Sequence, residues 1–321
     1  MRRRDFIGLV GTAAAWPLGT AAQQPKLARI GFVSWQSQAA EDQMKYLREG
    51  LAQYGYAEGR NLSLDARFTN GNRERTQAVI RELVDRPVDV LIARVTPVAQ
   101  LAKEATTTIP VVMIVADPLA TGLVPSLSRP DANLTGLSLA SPDLAGKRLE
   151  LIRDIKPDIR TIAFLGLNEA QTPTFVRETT AAASKLGLQL QVRVLDRPEQ
   201  VDAALYEAMK RDGVEAVIAQ PLFSGQQDRI VGLAMTQQLP VVSNFADFAR
   251  AGGLFSLGVE EVDILRRVAY FVDRILKGAK PAELPIEQPT AFRLTLNMRT
   301  AKAIGWSISP VLLSRADEVI E

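Results

Sequence analysis

Short runs of Val, Ile, Leu and Phe recur along the chain, separated by longer stretches in which apolar positions return every three or four residues. The first pattern predicts buried strands and the second predicts helices lying on them. Strands are expected at residues 29–34, 89–93 and 109–115, and the alternating apolar and polar positions of 61–68 predict an outer strand. Helices are expected at 38–54, where Gly55 closes the turn, at 72–85, ended by the Arg86-Pro87 break, and at 97–106, with Pro97 in its first turn. Strands separated by helices at this spacing form right-handed βαβ units.

The pattern then starts again. Residues 161–166 answer 29–34, residues 188–195 answer the outer strand, 201–211 its helix, and 213–219 the next strand. Ile109-Pro-Val-Val ends in Ala116-Asp117, and Leu239-Pro-Val-Val ends in Ala246-Asp247. Gly187 stands 132 residues after Gly55, and Pro240 stands 130 after Pro110. A nearly constant offset through several landmarks marks an internal repeat. The fold class is therefore α/β: two Rossmann-like lobes with parallel sheets flanked by helices, over residues 27–138 and 139–258. A turn-rich segment at 128–138 joins them, followed by a helix at 142–155 with Ser141 as its cap. Residues 259–321 have no counterpart in the first lobe. A strand at 254–257 leads into a helix at 260–276, a Pro-rich segment at 281–289, a strand at 292–296 and a helix at 298–304. This tail is expected to pack across both lobes and so to make a hinge of more than one strand.

Composition changes that picture mainly by exclusion. With 47% hydrophobic residues, 321 residues supply two ordinary cores. No Cys and no His are present, which removes disulfides, thiol nucleophiles, Cys/His zinc sites and Ser-His-Asp triads. The first 22 residues hold three Arg and one Asp, so 35 basic and 35 acidic residues remain beyond them. That balance gives no electrostatic footprint for nucleic acid. Arg2-Arg-Arg-Asp-Phe-Ile7 before an Ala/Gly-rich apolar run reads as an export signal of twin-arginine type, residues 1–22, cleaved after Ala22.

Ligands of open parallel sheets sit beyond the carboxyl ends of the strands, and two facing lobes bring those ends together. The candidate binding residues are accordingly Ser34, Trp35, Gln36, Arg94, Thr96, Pro97, Asp117 and Pro118 in the first lobe. Asn168, Pro221, Asn244 and Phe245 answer them in the second, with Ser141 at the junction. Each has two readings. Trp35 and Phe245 either stack on a flat ligand or pack beneath their loops. Thr96 is either a plain N-cap or, with the free amides of the helix start, a holder of a ligand carboxylate. Arg94 either turns its guanidinium into the cleft or points outward. Asp117 accepts a ligand ammonium or makes an Asp-Pro turn. Glu260, Glu261 and Asp263 read as a solvated helix start rather than as a metal or catalytic cluster. No cofactor or metal site is expected.

Several phrases resemble a known family: Ile30-Gly-Phe, Gly55-Tyr56 with Glu58-Gly59-Arg-Asn61, Thr106-Thr-Thr-Ile-Pro-Val, Asp117-Pro118, Asn133-Leu-Thr-Gly136 and Leu276-Lys-Gly-Ala-Lys-Pro. With Leu296-Asn-Met-Arg-Thr-Ala-Lys-Ala-Ile-Gly305 and Leu313-Ser-Arg-Ala-Asp-Glu-Val-Ile320, they are similar to the ABC-transporter substrate-binding proteins of the tryptophan/tyrosine type. The resemblance covers the chain beyond its signal. It implies a type I periplasmic-binding-protein fold and a monomeric receptor in the periplasm. It further implies a small ligand, an amino acid or an aromatic or organic carboxylate, held by hinge closure and delivered to an ABC permease with its ATPase. Small residues usually stand in that family where this chain has Arg94. A rival reading is an exported α/β hydrolase working through Asp117 and Asp247, which the repeat places at equivalent positions.

Overall fold

A computed structural model describes residues 27–36, 44–130, 132–139 and 144–321. The export signal, the start of the first helix and Ser141 lie outside the described residues. The first sheet is built from β1 (Ala28–Ser34), β2 (Leu62–Phe68), β3 (Val90–Arg94), β4 (Val111–Val115) and β5 (Leu134–Ser138), in the order β2-β1-β3-β4-β5 with every pairing parallel. All positions of β3, β4 and β5 are buried, as strands covered on both faces must be. Helices α1 (Met44–Gln53), α2 (Arg73–Asp85) and α3 (Thr96–Ala105) cover it.

The second sheet has seven strands. β6 (Thr161–Leu167), β7 (Gln189–Leu195), β8 (Ala216–Ala219), β9 (Val241–Ser243), β10 (Phe255–Gly258), β11 (Arg293–Asn297) and β12 (Glu318–Ile320) lie in the order β12-β11-β10-β9-β8-β6-β7. Only β10 and β11 pair antiparallel. Its helices are α4 (Ala145–Ile155), α5 (Thr172–Lys185), α6 (Ala203–Arg211), α7 (Gln227–Thr236) and α8 (Ala246–Arg250), with α10 (Met298–Ala303) and α11 (Pro310–Leu313) from the tail. The helix expected from residue 142 has its cap at Leu144.

The repeat is visible in its small devices as well as in its elements. Gly55 and Gly187, just after α1 and α5, both have left-handed backbone, φ 90° and 67°. An acid before the third strand receives the amide before the first in both lobes. Arg29 donates to Asp89 at 2.8 Å, and Arg160 donates to Glu215 at 2.8 Å.

The chain passes between the lobes three times. β5 leads into α4, which packs on α5. β10 leads into α9 (Glu261–Leu276), whose apolar face lies on α1 and beneath β3, β4 and β5. Residues 284–287 then run along β5, where Ser138 donates to the Glu287 carbonyl at 2.9 Å and the Glu287 amide donates to Gly136 at 3.0 Å, before β11 returns to the second sheet. The lobes also touch away from the hinge. Gln36 Nε2 donates to Ser224 Oγ at 2.8 Å, and Arg73 lies 3.9 Å from Glu169.

Candidate functional site

Between the two sheets, at the carboxyl ends of their strands, lies a cavity of about 450 Å³ that is partly open to solvent.

The first lobe supplies the end of β3, the start of α3 and the end of β4. Arg94 closes β3, is 2% exposed and lines the cavity. It makes a two-pronged pair with Glu261, Nη1 to Oε1 and Nη2 to Oε2, the second at 2.7 Å. Glu261 is the first residue of α9, so the acids at that helix start are not merely solvated: one of them neutralises a buried arginine. Glu260 is the N-cap, and burial raises its carboxyl.

Val95 follows with φ 73° and ψ 153°, an uncommon conformation for a β-branched residue. Its amide is held by the Ile114 carbonyl at 2.8 Å. Strain of this kind persists only where the surroundings impose it, and here it turns the start of α3 toward the cavity. Val95 is the cap residue and Thr96 the first residue of the helix, so the N-cap expected at Thr96 is one residue earlier. Thr96 is 1% exposed, and its hydroxyl lines the cavity without a hydrogen-bond partner. Pro97 is buried in the first turn of α3 and is not part of the wall.

The second lobe faces these groups with α5, the loop after β8 and Phe245. Gln171, the cap residue of α5, is 2% exposed, and its Oε1 has no partner. Gln220 is held from behind, accepting from the Leu167 amide at 2.9 Å and donating to Thr172 Oγ1 at 3.0 Å. Pro221, Leu222 and Phe175 add apolar wall. The Phe245 ring lies over the Arg94 guanidinium, 5.7 Å from carbon Cζ to ring centre, within cation–π range. Asn244 is buried just before it, and its Nδ2 is unpartnered.

The strand-end loops thus bring together Arg94, Thr96, Pro221 and Phe245. Other expected residues go elsewhere. Trp35 takes the packing alternative: its indole donates to Thr76 Oγ1 at 3.0 Å and its ring joins the core. Ser34 is buried beneath Gln36, which spans to the second lobe instead of lining the cavity. Asp117 takes the turn alternative, accepting from the amides of Leu119 and Ala120 at 3.1 and 3.0 Å, with Pro118 buried beside it. Asn168 is exposed and donates to Asp196 at 3.2 Å, so it faces away from the cleft. Asp247 is on α8, 3.4 Å from Arg250. Neither Asp117 nor Asp247 lines the cavity. Gln171, Phe175, Ser224 and Glu261 were not among the expected residues. A Gln or Ser carries no mark in sequence, and Glu261 meets Arg94 only because α9 returns to the first lobe.

Comparison with known proteins gives one consistent answer. The family described as ABC transporter substrate binding protein matches residues 27–320. A tyrosine-binding protein of Clostridioides difficile is 24% identical over 259 residues, which is 80% of this chain and 74% of that protein. A conserved domain protein of Vibrio cholerae is 28% identical with a TM-score of 0.86, covering 92% of this chain and 100% of that one. A domain from Streptococcus pneumonia, solved in complex with L-Trp, is 27% identical with a TM-score of 0.85 over the same shares.

Proposed function

The chain belongs to the ABC transporter substrate-binding proteins, and from that premise we propose that it is a periplasmic receptor which closes its two lobes over an amino acid or an aromatic or organic carboxylate. The fold is of the type I periplasmic-binding kind, and members of the family bind small ligands and work with an ABC permease and its ATPase. The family is a class of transport protein, not of enzymes.

The observation that carries the ligand reading is the pair of buried polar atoms left unpartnered on residues of the cavity wall: Thr96 Oγ1 from one lobe and Gln171 Oε1 from the other. Such atoms cost about 1–3 kcal/mol each when left unmade. A ligand that supplied both acceptors and donors would recover that energy only with the lobes together. Its acidic group would meet the Thr96 hydroxyl beside Arg94, at the start of α3, where the helix dipole favours negative charge. Its apolar part would lie against Ile114, Leu139, Phe175, Leu222 and Phe245. Tyrosine and tryptophan, named for two of the relatives, have that division.

Thermal-shift and calorimetric screening of amino acids and aromatic acids on the purified chain should find at least one that raises the melting temperature and reduces the radius of gyration. A panel with no stabilising member would end the ligand reading. We also infer that residues 1–22 direct export and are removed, so that protein recovered from the periplasm should begin at Gln23; a mass retaining Met1 would refute this.

A further inference from the structure

We propose that Arg94 reads the charge of the ligand: one edge of its guanidinium is committed to Glu261 and the remaining edge takes a single carboxylate, so that the cleft prefers monocarboxylates to their amides and to dicarboxylates. The inference rests on the receptor reading above and narrows it.

Three observations carry it. Arg94 is the one charged residue among the described residues of the cavity wall. Glu261 is not part of that wall. The pair with Glu261 occupies one N–H on each terminal nitrogen of Arg94. A guanidinium has five N–H donors in a fixed fork, so three remain, and a second carboxylate fits side-on along the Nε edge.

Charge balance sets the selectivity. Arg94 and Glu261 together are neutral. One ligand carboxylate placed against the open edge touches the positive group and shares one terminal nitrogen of the guanidinium with Glu261. A second carboxylate would find no other cation in the wall. An amide in its place would lose the charge-assisted half of the interaction, since bonds to an ionised group are roughly twice as strong as neutral ones. Phe245, from the opposite lobe, stacks on the same guanidinium, so the orientation that receives the ligand is completed by closure. Glu261 is a positioning residue in this arrangement: it fixes the plane of Arg94 and does not touch the ligand.

The test is calorimetry on the full mature chain with matched probes: L-tyrosine against tyrosinamide, L-tryptophan against tryptophanamide, and 4-hydroxybenzoate against 4-hydroxybenzamide and terephthalate. Whichever acid binds should do so about tenfold or more tightly than its amide. Arg94→Gln should bring acid and amide within about twofold of each other. Glu261→Gln keeps an acceptor for Arg94 but removes the balancing charge, so it should improve terephthalate relative to 4-hydroxybenzoate by about tenfold. Equal binding of acid and amide by the unaltered protein would overturn the inference while leaving the receptor reading intact. So would an acid preference that survives Arg94→Gln, or an unchanged terephthalate ratio in Glu261→Gln. If no acid or amide bound at all, the receptor reading and this inference would fall together.

Discussion

A buried cation has to be neutralised where it lies, and the two members of the Arg94–Glu261 pair are unequal in this respect. The Arg94 side chain is 3% exposed and that of Glu261 15%, so the carboxylate has a route to water that the guanidinium lacks. Breaking a buried pair from one side costs about 3–5 kcal/mol because it strands the other charge. Glu261→Ala is therefore expected to lower stability by that amount in urea unfolding. Arg94→Met should cost less, since Glu261 can hydrate, and the double substitution should be more stable than Glu261→Ala alone. Single effects that simply add in the double variant would mean that the pair is not coupled. At this scale the sequence was informative about position and silent about direction. The rule that ligands lie beyond strand ends identified the loops holding Arg94, Thr96, Pro221 and Phe245. It could not say that Trp35 turns down to Thr76 or that Asn168 turns out to Asp196, because one backbone rotation decides which side of a loop faces the cleft.

At the scale of elements, α9 leaves the second sheet and packs on the first lobe. Its buried face, with Ile264, Leu265, Val268, Phe271 and Val272 among its members, sits on α1 so closely that a Cβ added at Gly50 would lie 2.8 Å from the Ala269 Cβ and 3.2 Å from the Arg266 Cα. Gly50→Ala should therefore destabilise despite the better helix propensity of Ala, by about 1–3 kcal/mol as overpacking does. Ala269→Gly should restore part of the loss by removing the facing methyl. Denaturant midpoints of the two single variants and the double would decide, and a Gly50→Ala protein as stable as its parent would show that the helices can separate freely. Strands and most helices were legible because burial on two faces requires long apolar runs. Strand order was not, and the antiparallel β11 follows from the third passage through the hinge, where residues 284–287 first run along β5. Which lobe a helix covers depends on where the chain is carried after each passage, and periodicity carries no such information.

For the whole molecule the question is what holds the lobes together before a ligand arrives. Among the described residues, the Gln36–Ser224 hydrogen bond and the Arg73–Glu169 pair cross the mouth of the cleft. The second is titratable. Burial raises the Glu169 carboxyl above its ordinary value, and the attraction of Arg73 pulls it only partly back. Opening the cleft would return Glu169 to water, so the closed form binds its proton more tightly than the open one. Acid should therefore favour closure. The contribution is complete below the ordinary glutamate value of about 4.3 and disappears as pH rises through the raised one. Glu260 at the hinge is raised by burial too, so the two must be separated by substitution. The radius of gyration of the ligand-free chain should fall as pH is lowered from neutral toward about 4.5, and Glu169→Gln, which resembles the protonated side chain, should be compact at neutral pH with a shallower dependence. If Glu169→Gln followed the same curve as its parent, the titrating group would be elsewhere, and the Arg73 contact would be a bystander to closure.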